Sequence, residues 1–482
     1  MKVILKNHSE QYAAREIINS FFPKTKIDFV NEIPSNEDYV YSEIQISNNQ
    51  YTYISVCEYK SKKSSSTLTS NVLSKNKIKK SISDCLKELT GITLPWGLLT
   101  GIRPAKIVRE FLSNNNTNSI SAVDYLKNEY EVIPSKAKLA ATIEKKESKF
   151  INTMNPYGIS IYVGIPFCPT RCLYCSFTSQ SIAYSNKLTQ PYTEALIKEI
   201  IEISKTDYVN NHIIESVYFG GGTPTALSTE QINMILYTMY NNFDLSHVKE
   251  FTFEAGRPDT ITQEKLLLLK KYGITRISIN PQTINDKTLK IIGRNHSSED
   301  FKASFNLARE LGFEHINCDI IAGLPEENIS DFINTLNTLY ELNPESITVH
   351  TMCIKHGSFL DSKYDMFSLT AANTVNEMLE KASETAKKLN MSPYYIYRQK
   401  NMLGNLENVG YCKDAHECLY NIYIMEEVQS IIALGGGAST KIIDNNNIER
   451  SFNVKEVSEY INRIDEMINR KIEFLSHYSS TV

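Results

Sequence analysis

The chain has 482 residues, of which 41% are hydrophobic and 22% charged, with a formal net charge of -4. That composition describes a soluble globular protein longer than one ordinary core, so about three domains, or one large barrel with additions, are expected. The mild acidity argues against a duplex-binding surface, which needs a dense basic patch, and no stretch approaches the length of a membrane span.

The opening "MKVILKNHSEQYAAREII" has only a brief apolar run before charged helix formers, so neither a signal peptide nor an anchor is expected. Residues 1–65 read as a small α/β module: a strand from Lys2 to Leu5, a helix over "EQYAAREIINSFF" and strands over "YVYSEIQIS" and "YTYISVCEY". The polar run "KSKKSSSTLTSN", residues 60–71, has the composition of a linker. Residues 66–150 read as mostly helical and hold "LPWGLLTGIRPAKIVREFL", where Pro95, Gly97 and Gly101 predict a structured loop around the single tryptophan, Trp96, which is either a packing residue or a ligand contact, packing being the favoured reading.

From 151 to 368, β-rich runs alternate with helical ones. The predicted strands are "ISIYVGI", "IESVYFG", "EFTFEA", "TRISINP", "HINCDIIAG" and "SITVHTM", separated by helical runs such as "QPYTEALIKEIIEIS" and "ISDFINTLNTLYEL". Six βα repeats predict an α/β fold with a parallel, partial (β/α)6 barrel, in which ligand chemistry gathers at the C-terminal ends of the strands. Residues 369–482 read as an α+β region with the strand "PYYIYRQ", the glycine run "LGGGAST" and a closing helix.

"CPTRCLYC" places Cys168, Cys172 and Cys175 on one short loop after the first barrel strand. Cys57, Cys85, Cys318, Cys353, Cys412 and Cys418 are scattered, as in a reduced, cytoplasmic protein. Three sulfurs on so tight a loop cannot surround a tetrahedral zinc without a fourth ligand, and His212 and His296 are far away in sequence. A [4Fe-4S] cluster suits three thiolates better, because the fourth iron stays open to a ligand.

The same stretch resembles the signature of the radical S-adenosylmethionine enzymes. The resemblance, over about residues 157–440, implies a [4Fe-4S] cluster on Cys168, Cys172 and Cys175 with S-adenosylmethionine on the open iron. "GGGTPT", "IGRNH" and "DIIAGLP" further resemble the oxygen-independent coproporphyrinogen III dehydrogenases and their relatives, and "LTGIRP", "YRQKNMLGNLENVGY" and "LGGGAST" resemble their HemZ-type subgroup. In that family the positions matching Tyr162, Gly221, Gly222, Thr223, Glu254, Gln282, Arg294 and Asp319 contact S-adenosylmethionine. Their residue types suit such contacts. Gly220 to Gly222 let a backbone approach a ligand, Arg294 offers a forked donor for a carboxylate, and Glu254 and Asp319 accept from ammonium or ribose groups.

The resemblance implies oxidative decarboxylation of coproporphyrinogen III to protoporphyrinogen IX without oxygen, or alternatively a haem-binding chaperone on the same scaffold. True decarboxylases follow the third cysteine with a Gly-Cys-Asn stretch, whereas Ser176 and Phe177 follow here, as in the chaperones. A tetrapyrrole or haem and an electron donor such as flavodoxin or ferredoxin are the implied partners. Arg257, Lys355, Arg398 and Lys400 are candidates for the tetrapyrrole carboxylates or are surface charges. Cys412 and Cys418 are either an auxiliary metal pair or buried thiols, and His350 and His356 either haem ligands or structural histidines. Gly435 to Gly437 lack the Gly-Lys-Ser/Thr ending of a phosphate loop and read as a turn near the cofactor mouth.

Overall fold

In the N-terminal 70 residues, alternating burial builds a five-stranded sheet of β1 (Lys2–Lys6), β2 (Asp28–Phe29), β3 (Tyr39–Ser47), β4 (Gln50–Tyr59) and β5 (Lys62–Ser70), in the order β2-β1-β3-β4-β5. Tyr53, Ser55 and Cys57 of β4 are buried at every second position, the period of a strand with one face on a core. The helices Gln11–Phe21 and Lys75–Thr90 cover that face with Ala14, Ile17, Ile18 and Phe21 from the first and Ile78, Ile82, Cys85 and Leu86 from the second. Their three- and four-residue spacing is that of an amphipathic helix. The computed structural model describes residues 1–23, 25–101, 103–115, 117–176, 180–355, 357–362, 370–444 and 447–478.

The run expected to be a linker is β5, paired antiparallel with β4 from Tyr59↔Lys62 to Tyr51↔Ser70. Lys60 and Ser61, at φ 49° and 62°, form the two-residue turn that joins them. An edge strand whose side chains mostly face water has the same Ser, Thr and Lys composition as a loop, so composition alone misread it. The boundary expected at 65 therefore falls inside β5, and the helix Lys75–Thr90 shares the core of this first module.

The chain divides into two compact units, residues 1–144 with 397–407, and residues 145–396 with 408–482. In the first, Trp96 is completely buried and donates from Nε1 to Glu407 Oε2 at 2.8 Å, while Lys136 Nζ reaches Glu407 Oε1 at 2.5 Å. The Arg398 guanidinium lies 5.4 Å from the Trp96 ring centre and donates to the carbonyls of Leu99 and Asn405. Trp96 is thus a packing residue, as its sequence context suggested.

In the second unit, β6 (Gly158–Ile165), β7 (Phe167–Cys168), β8 (Gln180–Ser181), β9 (Ile213–Gly221), β10 (Glu250–Glu254), β11 (Arg276–Ser278), β12 (Ile316–Ala322) and β13 (Ser346–Thr351) are followed by β14 (Ser392–Tyr397), β15 (Asn408–Cys412), β16 (Ser430–Leu434), β17 (Ser439–Asp444) and β18 (Asn447–Phe452). All but the small β7-β8 pair form one sheet, ordered β14-β15-β13-β12-β11-β10-β9-β6-β16-β17-β18. The six strands expected from the βα repeats are adjacent, parallel and in sequence order, which makes the partial (β/α)6 barrel. They read as near-continuous apolar runs because helices cover the outer face. Those helices start on side-chain caps where the sequence provides them: Ser228, Ser297 and Asn328 each complete a capping box.

One parallel strand of the large sheet escaped the sequence reading. β16, "SIIAL", is wholly buried and pairs parallel with β6 from Ser430↔Ile159 to Leu434↔Val163. Five apolar residues beside a glycine run carry no periodicity that separates a strand from a buried helix turn.

Replacing Glu407 by Ala leaves the buried Lys136 ammonium and the Trp96 indole N–H without their acceptor, and should cost about 3 kcal/mol. Urea unfolding followed by the fluorescence of Trp96, the only tryptophan, should show a lower midpoint and a red-shifted native emission.

Candidate functional site

The strand ends meet through backbone contacts that only glycine permits. Beyond β9, Gly222 N–H donates to Ile165 O at 2.8 Å and Thr223 N–H to Phe167 O at 2.7 Å, stitching "GGGTPT" to the segment that enters the cysteine loop. A Cβ on Gly222 would lie 2.5 Å from Phe167 O, and Gly221 sits at φ 103° with the Tyr162 hydroxyl 3.4 Å from where its Cβ would be. Thr223 Oγ1 then donates to Cys168 Sγ at 3.5 Å.

Cys168, Cys172 and Cys175 are all half-buried on that loop, and none is in a disulfide. Leu173 N–H donates to Ile292 O at 2.9 Å, and Thr170 Oγ1 to Gly293 O at 2.5 Å, so the "IGRNH" segment backs the loop. Gly293, at φ 76°, has room for that approach, since a Cβ there would meet Arg171 O at 3.2 Å.

Two buried guanidinium groups face the thiols. Arg257, which sequence reasoning offered as a substrate-carboxylate or surface residue, is neither. It forms a bidentate pair with Asp259, Nε and Nη2 each 3.0 Å from a carboxylate oxygen, donates to Thr170 O at 3.3 Å and lies 3.8 Å from Cys172 Sγ. Its sequence position beyond β10 gave no sign of the approach to the cysteine loop, because Thr170 and Cys172 are 87 and 85 positions away. Arg294 donates to Asn280 O at 2.6 Å, yet its Nε is buried with no hydrogen-bond partner. Burial works against its positive charge, and the neighbouring Tyr174 and Cys172 outweigh that and raise its pKa.

The acidic strand-end residues line the same side. Tyr218, which sequence reasoning did not single out, donates to Glu254 Oε1 at 2.5 Å. Burial pushes the Glu254 carboxyl up to about 7 against the effect of that hydrogen bond, and the nearby Asp319 charge adds to it. Asp319 accepts from Asn280 Nδ2 at 2.9 Å and Asn317 Nδ2 at 2.8 Å, with His350 Nε2 at 3.6 Å. Burial would raise the Asp319 pKa, but hydrogen bonds from His350 and its other neighbours hold it below the usual value. Gln282, at φ 65°, crosses from β11 to β12: its N–H donates to Asp319 O and its carbonyl accepts from Ile321 N–H, each at 3.0 Å. Tyr162 stacks on Tyr218 and Tyr420 at centroid distances of 6.2 and 6.0 Å.

The eight candidates and the three cysteines therefore gather on one sheet, with the glycines and Glu254 at strand ends but Tyr162 within β6 and Asp319 within β12, which runs on to Ala322 and does not end at Asp319 as expected. Other candidates separate from them. Arg398 and Lys400 belong to the first unit, where Arg398 is committed to backbone carbonyls and Lys400 pairs with Glu16 at 2.9 Å. Cys418 donates its thiol to Glu250 at 3.1 Å and Cys412 is buried in β15. Among the described residues, no group of three or more His, Cys, Asp or Glu side chains could hold a single metal ion. His296, dismissed on sequence distance, is buried beside Arg294 and Arg257 with neither ring nitrogen hydrogen-bonded; burial lowers its pKa to about 4. Phe177 and His356 lie outside the described residues.

The donor set fits an iron-sulfur cubane. In such a cluster each thiolate holds a different iron and none shares one ion, the three thiols lie beside two cations, and the orphaned Arg294 Nε–H calls for an acceptor. Because the folded-state pKa of Glu254 is raised, the folded chain holds a proton that the unfolded chain has released between the ordinary carboxyl range and about 7. Stability falls as pH rises through that window. Glu254→Gln should leave stability unchanged near pH 4 and raise it by about 1–2 kcal/mol at pH 8. Denaturant midpoints at the two pH values measure the difference.

A family model for the Radical SAM superfamily matches residues 162–339. The chain is 39% identical over 406 residues to the oxygen-independent coproporphyrinogen-III oxidase-like protein HemZ of Bacillus subtilis (strain 168), covering 83% of this chain and 81% of that one. It is 37% identical over 201 residues to the heme chaperone HemW of the same organism, covering 41% of this chain and 51% of that one. Among solved structures, the radical SAM enzyme coproporphyrinogen III oxidase (HemN) from Escherichia coli has a TM-score of 0.54 over 66% of this chain and 72% of that chain, at 22% identity, and so shares the fold. The chain belongs to the radical SAM superfamily, within its HemN/HemW/HemZ family, and a [4Fe-4S] cluster and S-adenosylmethionine are the cofactors that membership implies.

Proposed function

We propose that this chain catalyses the oxygen-independent oxidative decarboxylation of coproporphyrinogen III to protoporphyrinogen IX in the cytoplasm, with Cys168, Cys172 and Cys175 as cluster ligands. The observation that supports the proposal is that Cys168 lies against Thr223 and Cys172 beside Arg294, on the sheet whose β10 and β12 carry Glu254 and Asp319. It stands in a chain whose similarity to an oxidase-like relative spans 83% of its length. When bound, the cluster and S-adenosylmethionine supply a carbon-centred radical that takes a hydrogen atom from a propionate β-carbon, after which loss of CO2 and one electron leaves a vinyl group.

The chain's own residues bind and orient. Gly221 and Gly222 admit the close approach of Ile165 and Phe167 that sets the cysteine loop, and the Arg294 Nε–H is a buried donor suited to the methionyl carboxylate. Glu254 and Asp319 are acceptors suited to ammonium and ribose hydroxyls, with Tyr218 fixing the Glu254 carboxylate. Tyr162 and Gln282 close the sides of the same strand ends. Of the four basic residues considered for the substrate's carboxylates, Arg257 is closed by Asp259, and Arg398 and Lys400 belong to the first unit. Lys355 is half-buried beyond β13, on the strand-end side. A flavodoxin or ferredoxin would deliver the electron consumed in reductive cleavage of S-adenosylmethionine, and a one-electron acceptor would take up the electron released with CO2.

A haem-chaperone reading has its own support: the 37% identity to HemW, and Ser176 standing where decarboxylases carry their Gly-Cys-Asn stretch.

Anaerobic reconstitution, then incubation with S-adenosylmethionine, a reductant and coproporphyrinogen III, should yield 5'-deoxyadenosine and vinyl products by mass spectrometry. Stoichiometric haem binding with neither product would instead establish the chaperone. Cys172→Ala should lose the visible iron-sulfur absorbance and bound iron while keeping the far-UV spectrum of the parent; an unchanged cluster would remove Cys172 from the ligand set.

A further inference from the structure

Behind the cysteine loop lies a buried polar cluster that the proposed chemistry does not use. Tyr192, on the helix Thr189–Ser204, is completely buried. Its hydroxyl donates to Gly164 O at 2.5 Å and accepts from Gly436 N–H at 2.9 Å, tying the end of β6 to the glycine turn after β16. The ring stands edge-on to Phe167, centroids 5.3 Å apart, and Phe167 directly precedes Cys168. Gly435, at φ 98°, leaves no room for a side chain: a Cβ would lie 2.3 Å from Gly164 O and 2.6 Å from the Tyr192 hydroxyl.

Two turns along the same helix sits Glu199, also fully buried. Its Oε2 accepts from Gly435 N–H at 2.8 Å and the Tyr460 hydroxyl at 2.6 Å, and its Oε1 accepts from Asn453 Nδ2 at 2.8 Å and Lys471 Nζ at 2.5 Å. Lys471 Nζ also donates to Ala433 O at 2.5 Å, in β16 itself. A carboxylate and an ammonium both out of water are costly to bury, and removing one partner leaves the other uncompensated. Three further donors to the same carboxylate, from Gly435, Tyr460 and Asn453, offset that cost, and they and Lys471 all come from the turn after β16 or the segments that follow it.

We propose that Tyr192, backed by the Glu199–Lys471 pair, is a positioning residue for Cys168. It holds β6, the 435–437 turn and Phe167 in one fixed arrangement, so that the first cysteine of the loop is presented to its iron and to Thr223 Oγ1. The inference rests on the reading of Cys168 as a cluster ligand. It gives "LGGGAST" a role that needs no phosphate: the glycines admit the close approach of a tyrosine hydroxyl and a carboxylate behind the cluster loop. It also explains why the C-terminal helix Ile464–Ser476, remote in sequence from the cysteines, belongs to the machinery that presents them.

The test uses the full-length chain before and after cluster reconstitution, with iodoacetamide alkylation read cysteine by cysteine by peptide mass spectrometry. Tyr192→Phe keeps the ring and removes both hydroxyl contacts. It should raise the alkylation rate of Cys168 about five-fold while Cys172 and Cys175 change less than about two-fold, the size expected for losing one local contact. The reconstituted variant should lose its cluster with Cys168 labelled first. Glu199→Gln should shift the same cysteine in the same direction, and Tyr460→Phe serves in its place if either variant fails to fold. Equal rises at all three cysteines, or no change at Cys168, would overturn the proposal. Either result leaves the ligand assignment standing, because that is decided by iron content in Cys172→Ala and its Cys168 counterpart.

Discussion

The approach of two strand ends, β6 and β9, is the constraint on which the site depends. Gly222 and Thr223 donate their N–H groups to Ile165 and Phe167, and the 2.5 Å that would separate a Gly222 Cβ from Phe167 O shows how little space remains. Neighbouring parallel strands lie a little under 5 Å apart, and the loop that leaves β6 must turn across the end of β9 to bring its cysteines over the sheet. Glycine at 221 and 222 permits the crossing, and Thr223 converts it into a contact with the first thiol. A side chain at 222 would push the loop away from the strand ends and separate the cysteines from Glu254, Arg294 and Asp319 together.

Charge follows from that geometry. The elements beneath the cysteine loop bring cations to it: Arg257 from beyond β10 and Arg294 from the segment after β11. The two are handled differently. Arg257 is neutralised by Asp259 and acts as a strut that fixes Thr170 and the loop backbone. Arg294 is held by one guanidinium nitrogen through backbone carbonyls, and its Nε keeps an unsatisfied donor. A buried donor left unmade costs about 1–3 kcal/mol, so the site favours an acceptor at that point. The raised pKa of Glu254 has the same meaning: a carboxylate with too few donors around it, stabilised when a cationic group arrives.

The barrel was legible in the sequence because its strands are apolar runs of strand length, separated by helices with recognisable caps such as Ser228 and Asn328. The site was legible where chemistry is unusual for its position, as with three cysteines clustered in "CPTRCLYC" or glycines at a strand end. What escaped notice depends on partners distant in the chain. Arg257, Tyr218 and Tyr192 are ordinary residues in sequence, and their roles exist only through Cys172, Glu254 and Gly164. β5 escaped because an exposed edge strand and a loop share one composition, and β16 because five buried residues have no period to read.

The distinction between decarboxylase and chaperone is a distinction about the substrate's carboxylates, and the placement of the basic residues bears on it. Radical chemistry on a propionate requires that side chain to be held over the cofactor, whereas a chaperone needs the macrocycle retained and no β-carbon aligned. Arg257 is closed off by Asp259, and Arg398 spends its donors on the carbonyls of its own loop and of Leu99. A guanidinium fork already filled by carbonyls cannot also grip a carboxylate bidentately. Beyond β13, on the strand-end side, lies the segment 357–362. That segment is fastened to the cysteine loop by Leu360 N–H to Leu173 O at 2.9 Å and by Arg171 Nη2 to Gly357 O at 3.0 Å. Through these contacts the segment beyond β13 and the loop that carries Cys172 and Cys175 constrain one another's position, as Gly222 and Thr223 constrain the same loop from β9.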